Sequence, residues 1–158
     1  MSDLLTSPAA PVRTDRWTLA AAAVVTLAGA LHLVAALEHL GHDVRFAVFF
    51  LGVGAAQVAA GPSLRRGTAP AAAVTVLAGS VGLVLLYLYS RTVGLHVGPH
   101  ADRPEDPDAL GLAVVACELV AVAAVAALLP PRGRARVVNA VFAVGLGVWG
   151  LWLSGALA

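Results

Sequence analysis

Residues 17–37 read WTLAAAAVVTLAGALHLVAAL, twenty-one positions without a charge between Arg16 and Glu38. A helix that crosses a bilayer needs about 20 apolar residues at 1.5 Å rise each, and this stretch supplies them. Four further runs repeat the pattern. One starts at Phe46 and stops ahead of Gly61-Pro62, one covers 69–90, one covers 107–129 with Glu118 as its single charge past Asp108 at the start, and one starts at Val137. Isolated strands cannot satisfy their backbone in hydrocarbon, so each run is read as a helix. The expected fold is all-α: a polytopic membrane protein, a bundle of five transmembrane helices at about 17–40, 46–60, 69–90, 107–129 and 137–157. These helices form a single domain over 13–158. Residues 1–12 show no apolar period and are expected to be a mobile cytoplasmic tail.

Composition agrees. Charged residues are 12% of the chain and apolar residues 59%, against about 25% charged in ordinary soluble domains. Thirty-four residues are alanine. One soluble core could not hide so much apolar surface, whereas in lipid apolar faces can point outward. The net charge of +1 gives no electrostatic reason to expect nucleic acid. Cys117 is the only cysteine, which excludes intrachain disulfides and cysteine-based zinc sites.

Local signals mark the ends of the runs. Gly41, Gly61-Pro62 and Pro130-Pro131 read as stops, and Asp106-Pro107 reads as an N-cap followed by proline at the first helical position. The first run has a basic flank, yet it is longer than the apolar core of a signal peptide and no hydrophilic domain follows. We read it as an uncleaved helix. Orientation follows from the arginines. With the N-terminus inside, the cytoplasmic segments hold Arg13, Arg16, Arg65, Arg66, Arg132, Arg134 and Arg136, and the outer segments hold Arg45, Arg91 and Arg103. Seven against three predicts a cytoplasmic N-terminus and an extracytoplasmic C-terminus in the cell membrane.

Gly145, Gly147 and Gly150 match the dinucleotide fingerprint G-x-G-x-x-G, but no strand precedes them, and the match is read as a decoy. Close helix packing is the plainer reading, with Ala143 and Gly147, and Gly79 and Gly82, in the same role. Self-association or docking to another membrane protein through such faces is the expected partnership besides the lipid bilayer. Trp17, Tyr87, Tyr89, Trp149 and Trp152 fall near run ends as interfacial anchors. Phe46, Phe49 and Phe50 are read as packing or lipid-facing groups.

All five histidines fall on one predicted side. His32, Glu38, His39 and His42 come from the end of the first run and the turn after it, and His96 and His100 from the second outer loop. Imidazole and carboxylate ligate zinc and copper, so these residues form a candidate metal face. His39 and His42 could share an ion only if their helix continues past Gly41. The plainer reading is of polar side chains in a wet loop. Haem is disfavoured, because only His32 is clearly intramembrane. Two groups lie deeper. Glu118 falls near mid-membrane, where a carboxylate is costly unless protonated, paired or wet. His32 lies about two helical turns inside His39. The two could meet as a structural clamp between helices, or as a proton relay or ligand site. Gln57 and Asn139 read as interhelical glue on the cytoplasmic side. The loop 91–108 is long for a compact domain. Arg91 is expected to order it by meeting a carboxylate and to bring His96 or His100 toward Glu38, His39 or His42.

The string Ser90-Arg91-Thr92-Val93-Gly94-Leu95-His96-Val97-Gly98-Pro99, the acidic stretch to Asp108 and the helix carrying Glu118 resemble a group of small actinobacterial multi-pass membrane proteins. The segment His32 to Phe50, with Glu38-His39 and Phe49-Phe50, is similar to the same group. In that group a proline follows the Gly-Leu pair and an acid the Gly-Pro pair. His96 and His100 stand there in this chain, which weakens the case for them as a shared functional pair. The resemblance implies membrane class and compartment and carries no activity. No set of nucleophile, base and acid lies on a rigid soluble element. The expected function is therefore a non-enzymatic binding, sensing or accessory subunit. An ion- or proton-coupled transporter using Glu118 and a metal-dependent membrane-embedded enzyme are the alternatives.

Overall fold

The computed structural model describes residues 16–66, 70–98 and 100–154. The expected tail over 1–12 and the side chains of Trp149 and Trp152 lie outside them. Five helices follow in order: α1 (Arg16–His39), α2 (Val44–Arg65), α3 (Pro70–Thr92), α4 (Ala109–Leu128) and α5 (Pro131–Leu153). The described residues are otherwise turns and loop, with no strand among them. α1 to α4 are each long and apolar enough to cross a membrane.

Several boundaries differ from the sequence reading, each for a local reason. α2 starts two residues early because Asp43 caps it, accepting from the Arg45 amide at 2.9 Å. It also runs through Gly61-Pro62 to Arg65. Proline removes one backbone hydrogen bond and crowds the preceding turn. Here Gly61 lies against Ala22 of α1 and Leu64 is buried in the core, so packing holds the last turn helical. The cap of α4 is Asp108, not Asp106. Its Oδ1 accepts from the Gly111 amide at 2.7 Å, and the helix begins at Ala109. α5 begins at Pro131, so Arg132, Arg134 and Arg136 lie on its first turns and not in a loop. Charge marks where the apolar run begins, whereas Pro131 at the first helical position marks where the helix begins.

α1 and α2 form an antiparallel pair joined by the turn 40–43. Small residues recur every seventh position on each, Ala22, Gly29 and Ala36 on one and Ala47, Gly54 and Gly61 on the other, and all six are buried. A Cβ added at Gly29 would stand 2.8 Å from Gly54 O, and one at Gly61 would stand 2.8 Å from Ala22 O. The same register sets Ala36 opposite Ala47. A seven-residue apolar or small repeat favours a left-handed, nearly parallel crossing of helix axes.

α4 packs on α1 and on α3, while α2 packs mainly on α1 and also touches α3. One apolar core joins all four at a single end of the bundle: Ala21 and Val25 of α1, Leu64 of α2, Ala73 and Leu77 of α3, and Ala121 and Val125 of α4. Large apolar side chains such as Leu27, Leu51, Leu119 and Val120 point outward, as lipid allows. α5 touches the rest mainly through its start. Arg134 donates to the Ala127 carbonyl at 3.0 Å, Val137 packs against the core, and residues 138–147 are exposed. The expected close packing at Gly79, Gly82 and Gly147 is corrected. Nothing described lies within 4 Å of a Cβ built at any of them. The close approaches sit instead at Gly29, Gly54 and Gly61, where two helices share one heptad register.

Candidate functional site

Above the apolar core, three polar side chains from three helices meet inside the bundle. Glu118 of α4 is 0% exposed, His32 of α1 is 1% exposed, and Gln57 of α2 is 9% exposed. Gln57 Nε2 donates to Glu118 Oε1 at 2.6 Å. His32 Nδ1 lies 3.8 Å from the same oxygen and 3.0 Å from the Ala28 carbonyl. A carbonyl only accepts, so Nδ1 carries hydrogen and donates to Ala28. At 3.8 Å its contact with Glu118 is electrostatic rather than a hydrogen bond. The His32 ring also faces Phe50, with centroids 5.8 Å apart.

Helix geometry explains the meeting. His32 lies on the buried stripe of α1 with Val25, Ala28, Gly29, Ala35 and Ala36. Gly29 and Gly54 bring α2 close enough for a side chain three residues past Gly54 to reach α4. Glu118 lies nine residues past Ala109, about 14 Å along its helix, with Ala121 and Val125 following on the same buried face. Gln57, expected as interhelical glue, does join two helices, and what the sequence reading missed is that its partner is Glu118. Its signal was an amide inside an apolar run, set beside a carboxylate inside another. Asn139, given the same role, is exposed on α5.

The end of the bundle that carries the loop 93–108 is organised separately. Arg91, at the end of α3, donates through Nη1 to Glu105 Oε2 at 2.7 Å and through Nη2 to Asp108 Oδ2 at 2.8 Å. Its guanidinium stacks over Tyr87, 4.9 Å from the ring centroid. One arginine thus ties the end of α3 to the loop and to the cap of α4. Gly94 (φ 94°) and Gly98 (φ 100°) take left-handed backbone, which glycine adopts without steric cost. Gly98 sits over Phe46 and near Asp43, so the loop reaches the start of α2.

The histidines of the two segments engage different partners. His39 Nδ1 donates to the Ala35 carbonyl at 2.8 Å, and its ring packs against Phe46 and Phe50. α1 ends at His39, and in the turn beyond it His42 Nδ1 donates to the Glu38 carbonyl at 3.0 Å. The Glu38 side chain is exposed. His96 is held within its own loop, between Tyr89, whose hydroxyl lies 2.9 Å from Nε2, and Asp102, which pairs with Nδ1. Asp102 itself has φ 61°. His100 is exposed on the loop surface. Among the described residues no group of three His, Cys, Asp or Glu side chains is placed to hold a metal ion. Phe46 lies between His39 and the loop glycine that reaches toward it.

Among the carboxylates at this end of the bundle, Asp43 has the clearest electrostatic signature. Arg45 bonds both of its oxygens, Nε to Oδ1 at 3.0 Å and Nη2 to Oδ2 at 2.6 Å. Those side-chain bonds lower its pKa from 3.8 to about 2, against the opposing effect of burial. The capping bond from the Arg45 amide adds to the lowering. No protein-family model, no curated protein and no solved structure matches the chain.

Proposed function

We propose that this chain is a small, non-enzymatic integral membrane protein of the binding, sensing or accessory kind. It lies in the cell membrane with its N-terminus in the cytoplasm. In this reading α5 is the fifth span, the C-terminus is extracytoplasmic, and the likeness to small actinobacterial multi-pass proteins reflects kinship. The observation that carries the reading is the sealed centre. Glu118 is wholly buried, bonded across the bundle by Gln57 and faced by His32. The interior polar groups act on one another and join three helices. A catalytic cleft would instead aim such groups at an opening that substrate can enter.

A second reading, a proton-coupled transporter, draws support from one atom. Glu118 Oε2 is buried and has no hydrogen-bond partner among the described residues. Intramembrane carboxylates of that kind recur in proton pathways. Reconstitution separates the two readings. Purified protein in proteoliposomes loaded with a pH-sensitive dye should leak protons no faster than empty vesicles. It should also co-purify with a second membrane protein in fixed stoichiometry from mild detergent. Flux that disappears in Glu118→Gln would put transport first, and metal-dependent turnover by the purified protein would put the enzyme reading first.

A further inference from the structure

The pair Gln57–Glu118 is short of one donor. The amide N–H is given to Glu118 Oε1, which leaves Gln57 Oε1 and Glu118 Oε2 buried, neither with a partner among the described residues. Both are acceptors, so neither can satisfy the other while Glu118 is ionised. Buried polar groups are almost always paired, and an unpaired one inside an apolar bundle is costly. A single proton changes this count. On Oε2 it turns an acceptor into a donor, and an acid facing an amide can then give O–H to the amide oxygen while receiving N–H from the amide nitrogen. The same proton removes a full charge from a site that is 0% exposed.

We propose that Glu118 is a proton-binding site, held in its protonated form by a reciprocal acid–amide pair with Gln57. The surrounding groups fit this assignment. From α1 the facing group is His32, whose Nδ1–H donates to Ala28 and so supplies no hydrogen bond to the carboxylate. From α2 it is Gln57, which does not titrate. On α4 itself Cys117 is the neighbour, half-buried. The described titratable groups of α3, Tyr87, Tyr89 and Arg91, lie at its outer end, with Tyr87 beside Gly111, about two turns from Glu118. The α5 arginines lie at the opposite end of the bundle. When the proton leaves, an anion with one donor remains between α1, α2 and α4, and the water that must enter to solvate it loosens the joint between the α1–α2 pair and α4. That makes the site a proton sensor, an inference that deepens the sensing role above and rests on its intramembrane placement.

The test is infrared spectroscopy of the full chain in phosphatidylcholine nanodiscs at neutral pH, in H2O and in D2O. The wild-type spectrum should contain the C=O stretch of a protonated carboxylic acid, shifted in D2O. Glu118→Gln keeps the shape and the oxygen that Gln57 bonds, and it should lose that band. Gln57→Leu should move the band to higher frequency, because one partner of the acid is gone. A wild-type spectrum without the band, from protein that is helical by circular dichroism, overturns the proposal. So does a band that survives Glu118→Gln or ignores Gln57→Leu. Failure of the co-purification would leave the band in place, and absence of the band would leave the membrane role in place.

Discussion

Replacing Gly29 by alanine probes the contact on which the buried cluster depends. A Cβ at Gly29 would stand 2.8 Å from Gly54 O, 2.8 Å from Val58 N and 2.9 Å from Gln57 Cβ. Ordinary contact begins at 3.4 Å, so the shortfall is about 0.6 Å, and two of the three obstructing atoms are backbone. Backbone cannot swing aside as a long side chain does, so α2 must shift. Gln57 is one of the atoms in the way, and the shift reaches the 2.6 Å bond to Glu118 directly. Overpacking a close contact costs about 1–3 kcal/mol. Alanine returns up to about 1 kcal/mol of helix propensity relative to glycine. The net loss should be about 1–2 kcal/mol, a factor of roughly 5–30 in the folded-to-unfolded ratio. Gly79→Ala is the matched control, since nothing lies within 4 Å of its added Cβ. It should be neutral or slightly stabilising. Reversible unfolding by SDS in mixed micelles, followed by circular dichroism, measures both. A Gly29→Ala protein as stable as wild type, or a Gly79→Ala protein that is the more damaged of the two, would refute the close α1–α2 contact as the source of the loss.

Arg91→Lys should release the loop between α3 and α4, because one ammonium cannot span Glu105 and Asp108 as the guanidinium does. Both carboxylates are partly exposed, so the loss is only about 1 kcal/mol. It should appear as several-fold faster amide exchange over 93–106, and unchanged exchange would refute the role. Asp43 has its carboxyl lowered from 3.8 to about 2, so its contribution is present above about pH 4 and is lost as the pH falls through about 2. The melting temperature of wild type should exceed that of Asp43→Asn at pH 5 and converge on it near pH 2; a gap independent of pH argues against the Arg45 pairing. In a Cys117→Ala background, a cysteine replacing Ser154 should react with an impermeant maleimide on intact cells, while one replacing Ser63 should not. The reverse pattern means the topology is inverted.

Features set by neighbours in the chain were legible without a structure. Run length and the absence of charge located the four helices that are apolar enough to cross a membrane, because in lipid the backbone must satisfy itself within each segment. Pro130-Pro131 marked the break between α4 and α5 because proline constrains the residues beside it whatever the fold. Features set by rotation about helix axes were legible only in part: the depth of His32 and Glu118 suggested that they could meet, as they do, but not that Gln57 joins them. Gln57 and Glu118 are 61 positions apart, and which face of α2 meets α4 depends on packing, not on either run alone. The seven-residue series of small residues was present in the sequence, but thirty-four alanines and sixteen glycines gave many equivalent stripes. Gly79, Gly82 and Gly147 looked as suitable as Gly29 and Gly54. Only the antiparallel docking of α1 on α2 decided among them, because close approach needs two small residues at the same height on facing helices.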